Sequence, residues 1–154
     1  MRLSKRGEYG LRAMISLAKI PRSDGNFQVV QIKEISERER IPAKFLEQIL
    51  LSLKNSGLVH SKMGVGGGYY LSRNPQEIFL GQIIRVLDGP IAPLRCVSQL
   101  AYEACDCPDV ETCGLRLVMG DVRTAIVNIL DKTTLEDVIR RESTQRLLQE
   151  RDIE

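Results

Sequence analysis

The sequence predicts a mainly α-helical protein with a small β-hairpin, arranged as a winged helix-turn-helix followed by a long dimerisation helix. Three observations support this fold class. Two short helix-forming segments meet at a tight break, and a glycine-rich turn, GVGGG, then separates two strand-like segments. A long apolar stripe follows a cluster of cysteines. A hairpin directly after a helix-turn-helix is typical of a wing.

Charge is distributed unevenly along the 154 residues. Residues 1–73 hold 13 Lys and Arg against 6 Asp and Glu, a net +7, whereas residues 74–154 hold 9 against 14, a net −5. A basic half indicates a polyanionic partner. The N-terminus is polar and no apolar run is long enough for a leader or a membrane span. We therefore expect a cytoplasmic protein that does not bind a membrane.

Residues 8–20 predict an amphipathic first helix, because apolar residues recur there at helical spacing. Basic residues precede this helix, and we include Arg2 and Lys5 among the candidate DNA contacts. The segment PRSDGN opposes further helix, and the segment FQVVQI after it is expected to form a loop with a short strand.

The segments IKEISERER and PAKFLEQILLSLKNSG predict two short helices. Pro42 suits the first turn of the second helix because its missing N–H costs nothing there, and Gly57 stands where that helix is expected to end. Lys44, Glu47 and Gln48 face outward near its start. A helix-turn-helix needs polar residues there, since those turns enter the major groove. Two packed core helices would give a similar pattern.

The segment LVHSKMGVGGGYYLS predicts the wing. Its glycines, among them Gly66 and Gly67, permit the backbone conformations of a hairpin turn. Lys62 and Arg73 bracket the hairpin with positive charge, which suits phosphate or the minor groove. A nucleotide-binding loop is the alternative, but the segment lacks the lysine and the serine or threonine of a P-loop.

The second half of the chain predicts a further helix that ends at Gly89, then the cysteines, then a long helix. The apolar residues of this long helix recur at a and d spacing, which favours pairing with a second copy. They are Leu115, Val118, Val122, Ala125 and Ile129. Thr133 to Glu136 fit a capping box that begins a short final helix.

These segments give a predicted division of the chain into four parts. Residues 1–90 form a DNA-binding domain, and residues 91–114 form a cysteine-rich loop. Residues 115–141 hold the dimerisation helix and a short final helix, and residues 142–154 form a charged tail.

All four cysteines lie within eighteen residues: Cys96, Cys105, Cys107 and Cys113. In a reducing compartment such a cluster indicates metal or redox chemistry rather than structural disulfides. Thiolates are the usual ligands of iron–sulfur clusters. A structural zinc ion is one alternative, although C-x-C fits zinc sites less well than C-x2-C. Reversible disulfides without a metal are the other.

No catalytic constellation is found: the sequence has no Ser-His-Asp set, no metal-hydrolase helix and no dinucleotide fingerprint. We therefore expect no enzyme and no catalytic residue. A small electron-transfer protein whose basic half binds a protein partner remains a rival interpretation.

Four features in this order resemble the Rrf2 family of iron–sulfur regulators. They are MRLSKRGEYGLRAM, IPAKFLEQIL, SGLVHSKMGVGGGYYL and the cysteine cluster, and the resemblance extends from Met1 to about Leu135. It implies a homodimeric winged-helix transcription regulator that binds partly palindromic double-stranded DNA. Many members carry a 2Fe–2S cluster, which senses redox, iron or nitric oxide status, and some carry none.

The resemblance also implies roles for single residues. Glu47 matches the residue that reads base edges, and a carboxylate can accept a hydrogen bond from cytosine N4. Gln48 is expected near bases and Lys44 near phosphate. Met63 stands where many members carry an arginine that enters the minor groove, which puts wing readout of a narrow A-tract in question.

The family takes three cluster ligands from the cysteine loop. Cys96 matches the first of them, while Cys107 and Cys113 match the last two. Cys105 is then surplus, or it replaces Cys107.

The fourth ligand stays open. Arg116 stands where a histidine completes the site in some members, and His60 lies in the predicted wing. Either all four cysteines ligate, or Glu8 reaches the cluster from the first helix, as an acidic residue does in some members. A carboxylate would be a weak ligand for iron and would give a labile cluster. Alternatively, Glu8 is a solvated carboxylate that the helix dipole favours.

Overall fold

The computed structural model describes residues 2–153 and confirms the mainly helical fold with a two-stranded hairpin. A short 3-10 turn, Pro75–Glu77, precedes the fourth helix, and another, Arg95–Val97, lies in the cysteine loop. The helices are α1 Lys5–Ala18, α2 Ile32–Glu39, α3 Ala43–Asn55, α4 Leu80–Asp88, α5 Gly114–Leu130 and α6 Leu135–Arg151, and the strands are β1 Val59–Lys62 and β2 Gly68–Leu71.

Helix α1 lies at the centre of the domain, where α2, α3, α4 and α6 all pack against it. Ser4 begins the helix, and its hydroxyl accepts a hydrogen bond from the Gly7 N–H at 2.9 Å. Two glycines let α4 approach closely. A Cβ at Gly10 would lie 1.9 Å from Leu87 Cδ1, and one at Gly7 would lie 2.7 Å from Asp88 Oδ2.

The helix-turn-helix consists of α2 and α3, joined by a three-residue turn. Arg40 ends α2 in the left-handed conformation, with φ +53°. The Ile41 N–H donates to the Ser36 carbonyl at 3.0 Å, and the Ser36 hydroxyl donates to the Ile41 carbonyl at 2.6 Å. These bonds fix the angle at which α3 leaves the turn. Pro42 is the residue before the helix rather than part of its first turn.

The wing is an antiparallel hairpin whose register runs from Val59 opposite Leu71 to Lys62 opposite Gly68. The short strand expected in FQVVQI is reduced to a single bridge. The N–H groups of Val30 and Tyr69 donate to each other's carbonyls, at 2.9 and 2.8 Å. This bridge attaches the base of the hairpin to the segment before α2.

Helices α4 and α5 are joined by an ion pair at the end of α5. The Arg85 guanidinium donates to both carboxylate oxygens of Asp131, at 2.7 and 2.9 Å. A bidentate pair of this kind has fixed geometry, so it orients the end of α5 against α4. Gly81 makes room for it, because a Cβ there would lie 2.0 Å from Asp131 Oδ1.

The final helix is longer than the sequence suggested. Helix α6 runs to Arg151, so the expected short helix ending near residue 141 and the charged tail after it are corrected to one helix of 17 residues. Its first turn is capped by Thr134 with Asp137, one residue later than expected. Lys19, the residue after α1, pairs with Glu142 near the middle of α6 at 2.5 Å, which joins the surfaces of the two helices.

Helix α5 has no buried residue within the single chain. Leu117 is 69% exposed and Val118 is 56% exposed, although both are large and apolar. None of the helices described between residues 2 and 153 is long and apolar enough to cross a membrane.

Replacement of Gly10 by Ala tests the close packing of α1 on α4. Ala is the better helix former, and in open helix the change would stabilise the protein by about 0.5–1 kcal/mol. Because the new methyl group meets Leu87, we expect Gly10→Ala to lower the free energy of unfolding by about 1–3 kcal/mol in urea titrations. The exposed change Ser143→Ala on α6 serves as control and should stay within about 0.5 kcal/mol. A gain in stability at Gly10 would contradict the packing.

Candidate nucleic-acid interface and metal centre

Helix α3 presents the predicted reading face. Its buried stripe, Leu46, Ile49, Leu50 and Leu53, packs into the core. Lys44, Glu47 and Gln48 are exposed on the other side. Residues three and four apart lie on one helical face, so the three side chains form one polar surface over the first turns. Within residues 2–153, neither Lys44 nor Glu47 is held in an ion pair.

Helix α1 contributes charge beside the start of α3. The Tyr9 ring packs edge-on against Phe45 of α3, with 5.6 Å between ring centroids. Lys5 Nζ lies 5.5 Å from the Tyr9 centroid and Arg12 lies 5.4 Å from it. Lys5 is therefore brought close to the reading face. Arg2 is not brought close to that face, because it lines cavities near Asp88, at the end of α4.

The wing follows α3 after only three residues. Lys62 is exposed at the end of β1. Gly66 adopts φ +73°, and the Gly67 N–H donates to the Gly64 carbonyl at 3.0 Å. A Cβ at Gly67 would lie 2.3 Å from the Lys62 carbonyl oxygen. The two predicted glycines thus shape a tight turn directly beside the exposed lysine.

The four thiols lie around one cavity of about 320 Å³ between the cysteine loop and the start of α5. Four soft thiol donors on one cavity fit the ligand chemistry of an iron–sulfur cluster. They are not drawn together as a ligand shell: in the part of the chain that the structure describes, no three metal-ligating side chains are arranged to hold an ion. The four thiols thus have the chemistry that an iron–sulfur cluster needs, but their side chains are not arranged around a metal ion.

The thiols differ in acidity. The pKa of Cys105 is lowered chiefly by hydrogen bonding from the backbone N–H of Cys107. The thiols of Cys107 and Cys96 make smaller contributions in the same direction. The pKa of Cys107 is raised because its proton is engaged by Cys105 and because a nearby negative charge disfavours a second thiolate. Cys105 is therefore the more acidic thiol of this pair.

Cys113 is the residue that begins α5. The Arg116 N–H donates to Cys113 Sγ at 3.4 Å. Amide groups at a helix N-terminus favour negatively charged ligands, so this position suits a thiolate that binds a metal.

Glu8 lies apart from the cavity in the single chain. Its carboxylate pairs with Lys5 at 3.0 Å and with Arg12 at 3.7 Å, both on α1. His60 lies on β1, where its ring packs 5.6 Å from the Tyr70 ring. Glu8 as fourth ligand stays a prediction.

Two further charged residues line the cysteine cavity and were not predicted. Arg95 and Glu103 form an ion pair at 2.5 Å across the loop. They are eight residues apart in a segment without helical or strand periodicity, so the sequence held no signal that they meet. Arg116, which was considered only as a missing ligand, also lines the cavity.

These features define a winged-helix, DNA-binding transcription regulator with a cysteine-lined cavity beside α5. The chain belongs to the Rrf2 family, whose profile, described as iron-dependent transcriptional regulator, matches residues 3–141. Regulators of this family bind DNA and typically act as dimers.

Individual relatives agree with this assignment. An Rrf2-like HTH-type regulator of Rhodobacter capsulatus is 39% identical over 138 residues, which are 89% of this chain and 91% of the relative. The structure of CymR, the global cysteine regulator of B. subtilis, matches with TM-score 0.73 and 36% identity, over 90% of this chain and 95% of that one. The structure of T. potens IscR matches with TM-score 0.71 and 32% identity, over 92% and 88%.

The acidity order of the thiols is testable in the reduced, metal-free protein. Because thiolates react with iodoacetamide and thiols do not, Cys105 should be alkylated at lower pH than Cys107 when the pH is raised stepwise. Fragment-ion mass spectrometry locates each label. In Cys107→Ala the pH midpoint for Cys105 should rise only in part, since the backbone donor remains. Earlier labelling of Cys107 would contradict the hydrogen-bond assignment.

Proposed function

We propose that this protein is a homodimeric transcription regulator whose affinity for DNA is controlled by a 2Fe–2S cluster in the cysteine cavity. The signal would be redox, iron or nitric oxide status. The observation that carries the proposal is the gathering of all four thiols around one cavity next to α5. The description of the family as iron-dependent adds support.

The reading face of α3 would enter the major groove. Glu47 would accept from cytosine N4, Gln48 would contact bases, and Lys44 would bind phosphate. Lys5 and Lys62 would bind the backbone on either side of the groove. A symmetric dimer would read a partly palindromic site whose half-sites lie about one helical turn apart.

The dimer would form through α5. None of its apolar residues is buried in the single chain, and they recur at the a and d spacing that pairs helices. Burial of this stripe against a second copy would remove the apolar surface from water, which is the main driving force for such association.

The cysteines would hold the cluster in one of two ways. Cys96, Cys107 and Cys113 would each give a thiolate, and Cys105 or Glu8 would be the fourth ligand. When bound, the cluster would supply one-electron redox chemistry and a reaction site for oxidants or nitric oxide. Cys113 would pass a change in the loop to α5, since it begins that helix. The response needs two arrangements of α5 that bind the cluster differently.

A thiol switch without a cluster is the second candidate. The observation that favours it is that Cys105 and Cys107 line the same cavity and that Cys107 lowers the pKa of Cys105, which favours its thiolate. Such a thiolate reacts readily with oxidants and has a resolving thiol beside it. Among the relatives, CymR is a cysteine regulator by name. A zinc ion on the four thiols is a third possibility, which metal analysis distinguishes.

Replacement of Glu47 tests the reading face. Loss of a base contact costs about 1–3 kcal/mol, so Glu47→Ala should weaken binding to the specific site roughly 5- to 150-fold while binding to unrelated DNA changes little. Fluorescence anisotropy on a duplex enriched from a random pool by the wild-type protein gives both affinities. Glu150→Ala, an exposed carboxylate change on α6, is the control. Unchanged specific affinity in Glu47→Ala would exclude the assignment.

Anaerobic purification tests the cluster. We expect a brown protein with absorbance between 300 and 700 nm and with iron and sulfide in equal amounts. Cys107→Ala should lose colour, iron and sulfide together, and Cys105→Ala decides whether that thiol is surplus. A colourless protein without iron or sulfide under strict anaerobiosis would refute the cluster, and a zinc assay with a thiol count would then separate the two remaining candidates.

A further inference from the structure

The tip of the wing carries two apolar side chains that no residue between 2 and 153 covers. Met63 is 86% exposed and Val65 is fully exposed. They flank Gly64, and a Cβ placed at Gly64 or Gly66 would meet no atom within 4 Å. The tip therefore projects into open space. Both side chains are therefore free of core packing and available to contact a partner.

The tip is held in place from its base. The Val30–Tyr69 bridge attaches β2 to the segment before α2, and a Cβ at Gly68 would lie 2.1 Å from the Val30 carbonyl oxygen. The left-handed conformation of Gly64, with φ +88°, fixes the turn itself. Each strand has four residues and spans about 13 Å, at roughly 3.3 Å per residue. A tip at the end of such a hairpin would reach the groove next to the one that α3 is proposed to enter.

The chemistry of the tip differs from that of a charged wing. Narrow A-tract minor grooves attract arginine because their potential is strongly negative. Met63 carries no positive charge, so that potential does not attract it. Apolar side chains, methionine among them, instead contact the sugar walls and wedge at flexible base steps. Lys62, one residue earlier, supplies the neighbouring phosphate contact.

We propose that Met63 and Val65 form an apolar minor-groove contact that selects pyrimidine–purine steps over A-tracts beside each half-site. This inference rests on the proposed placement of α3 in the major groove. It adds a sequence preference at positions that α3 does not touch, and it assigns that preference to two residues without charge.

The experiment compares three flanking sequences in full-length protein. Hydroxyl-radical footprinting on the enriched duplex locates the flank that the wing protects, which is then made an A-tract, a run of TA and CA steps, or a G·C segment. The wild type should bind the TA and CA flank about tenfold tighter than the A-tract. The double variant Met63→Ser with Val65→Ser should lose this preference and keep its melting temperature, since neither side chain is buried.

Salt dependence separates the apolar contact from charge. The double variant should lower affinity without changing the slope of log affinity against log salt, whereas Lys62→Ala should reduce that slope by about one. Met63→Arg should move the preference toward the A-tract.

Three outcomes would overturn the inference: an A-tract preference in the wild type, no flank preference at all, or a double variant that keeps wild-type affinity and preference. If Glu47→Ala still loses specific binding in that case, the proposed reading face stands and the wing inference alone fails. If Glu47→Ala also binds as wild type, the reading face fails with it.

Discussion

The close contact of α1 with α4 is the constraint on which the other parts depend. It exists because Gly7 and Gly10 have no side chain, so that Asp88 and Leu87 can lie against the α1 backbone. Asp88 then accepts hydrogen bonds from the Ser4 N–H, at 3.0 Å, and from the Ser4 hydroxyl. The end of α4 is thereby attached to the start of the helix on which α2 and α3 are packed.

This attachment relates the reading face to the cysteine loop. The loop begins just after Asp88, so its first residues are held to α1, and it ends at Cys113, where α5 begins. Arg85 and Asp131 join α4 to the other end of α5. The start of the cysteine loop and the end of α5 are therefore both joined to α4, whereas the thiols and α5 itself lie outside the buried core.

The sequence predicted those parts whose signal is local. The apolar period of α3, the glycine turn of the wing and the clustered thiols are each read from a short segment, and each is found at the expected place. The sequence did not predict features whose geometry depends on contacts between residues far apart in the chain. The contact of α6 with Lys19 joins residues far apart in the chain, and the pair of Arg95 and Glu103 depends on the path of an irregular loop. Arg2 was assigned as a DNA contact from charge alone, and that assignment stays a prediction.

Helix α5 combines two properties that are separate in the sequence. Its first turn receives Cys113, and its exposed apolar stripe runs over the following turns. A helix of 17 residues spans about 25 Å and moves as a rigid body. In the proposed function, a change in the bonds of Cys113 would act on the first turn of α5 and, through it, on the stripe that follows. In a dimer paired through that stripe, the separation of the two α3 helices would change with the chemical state of the cysteines.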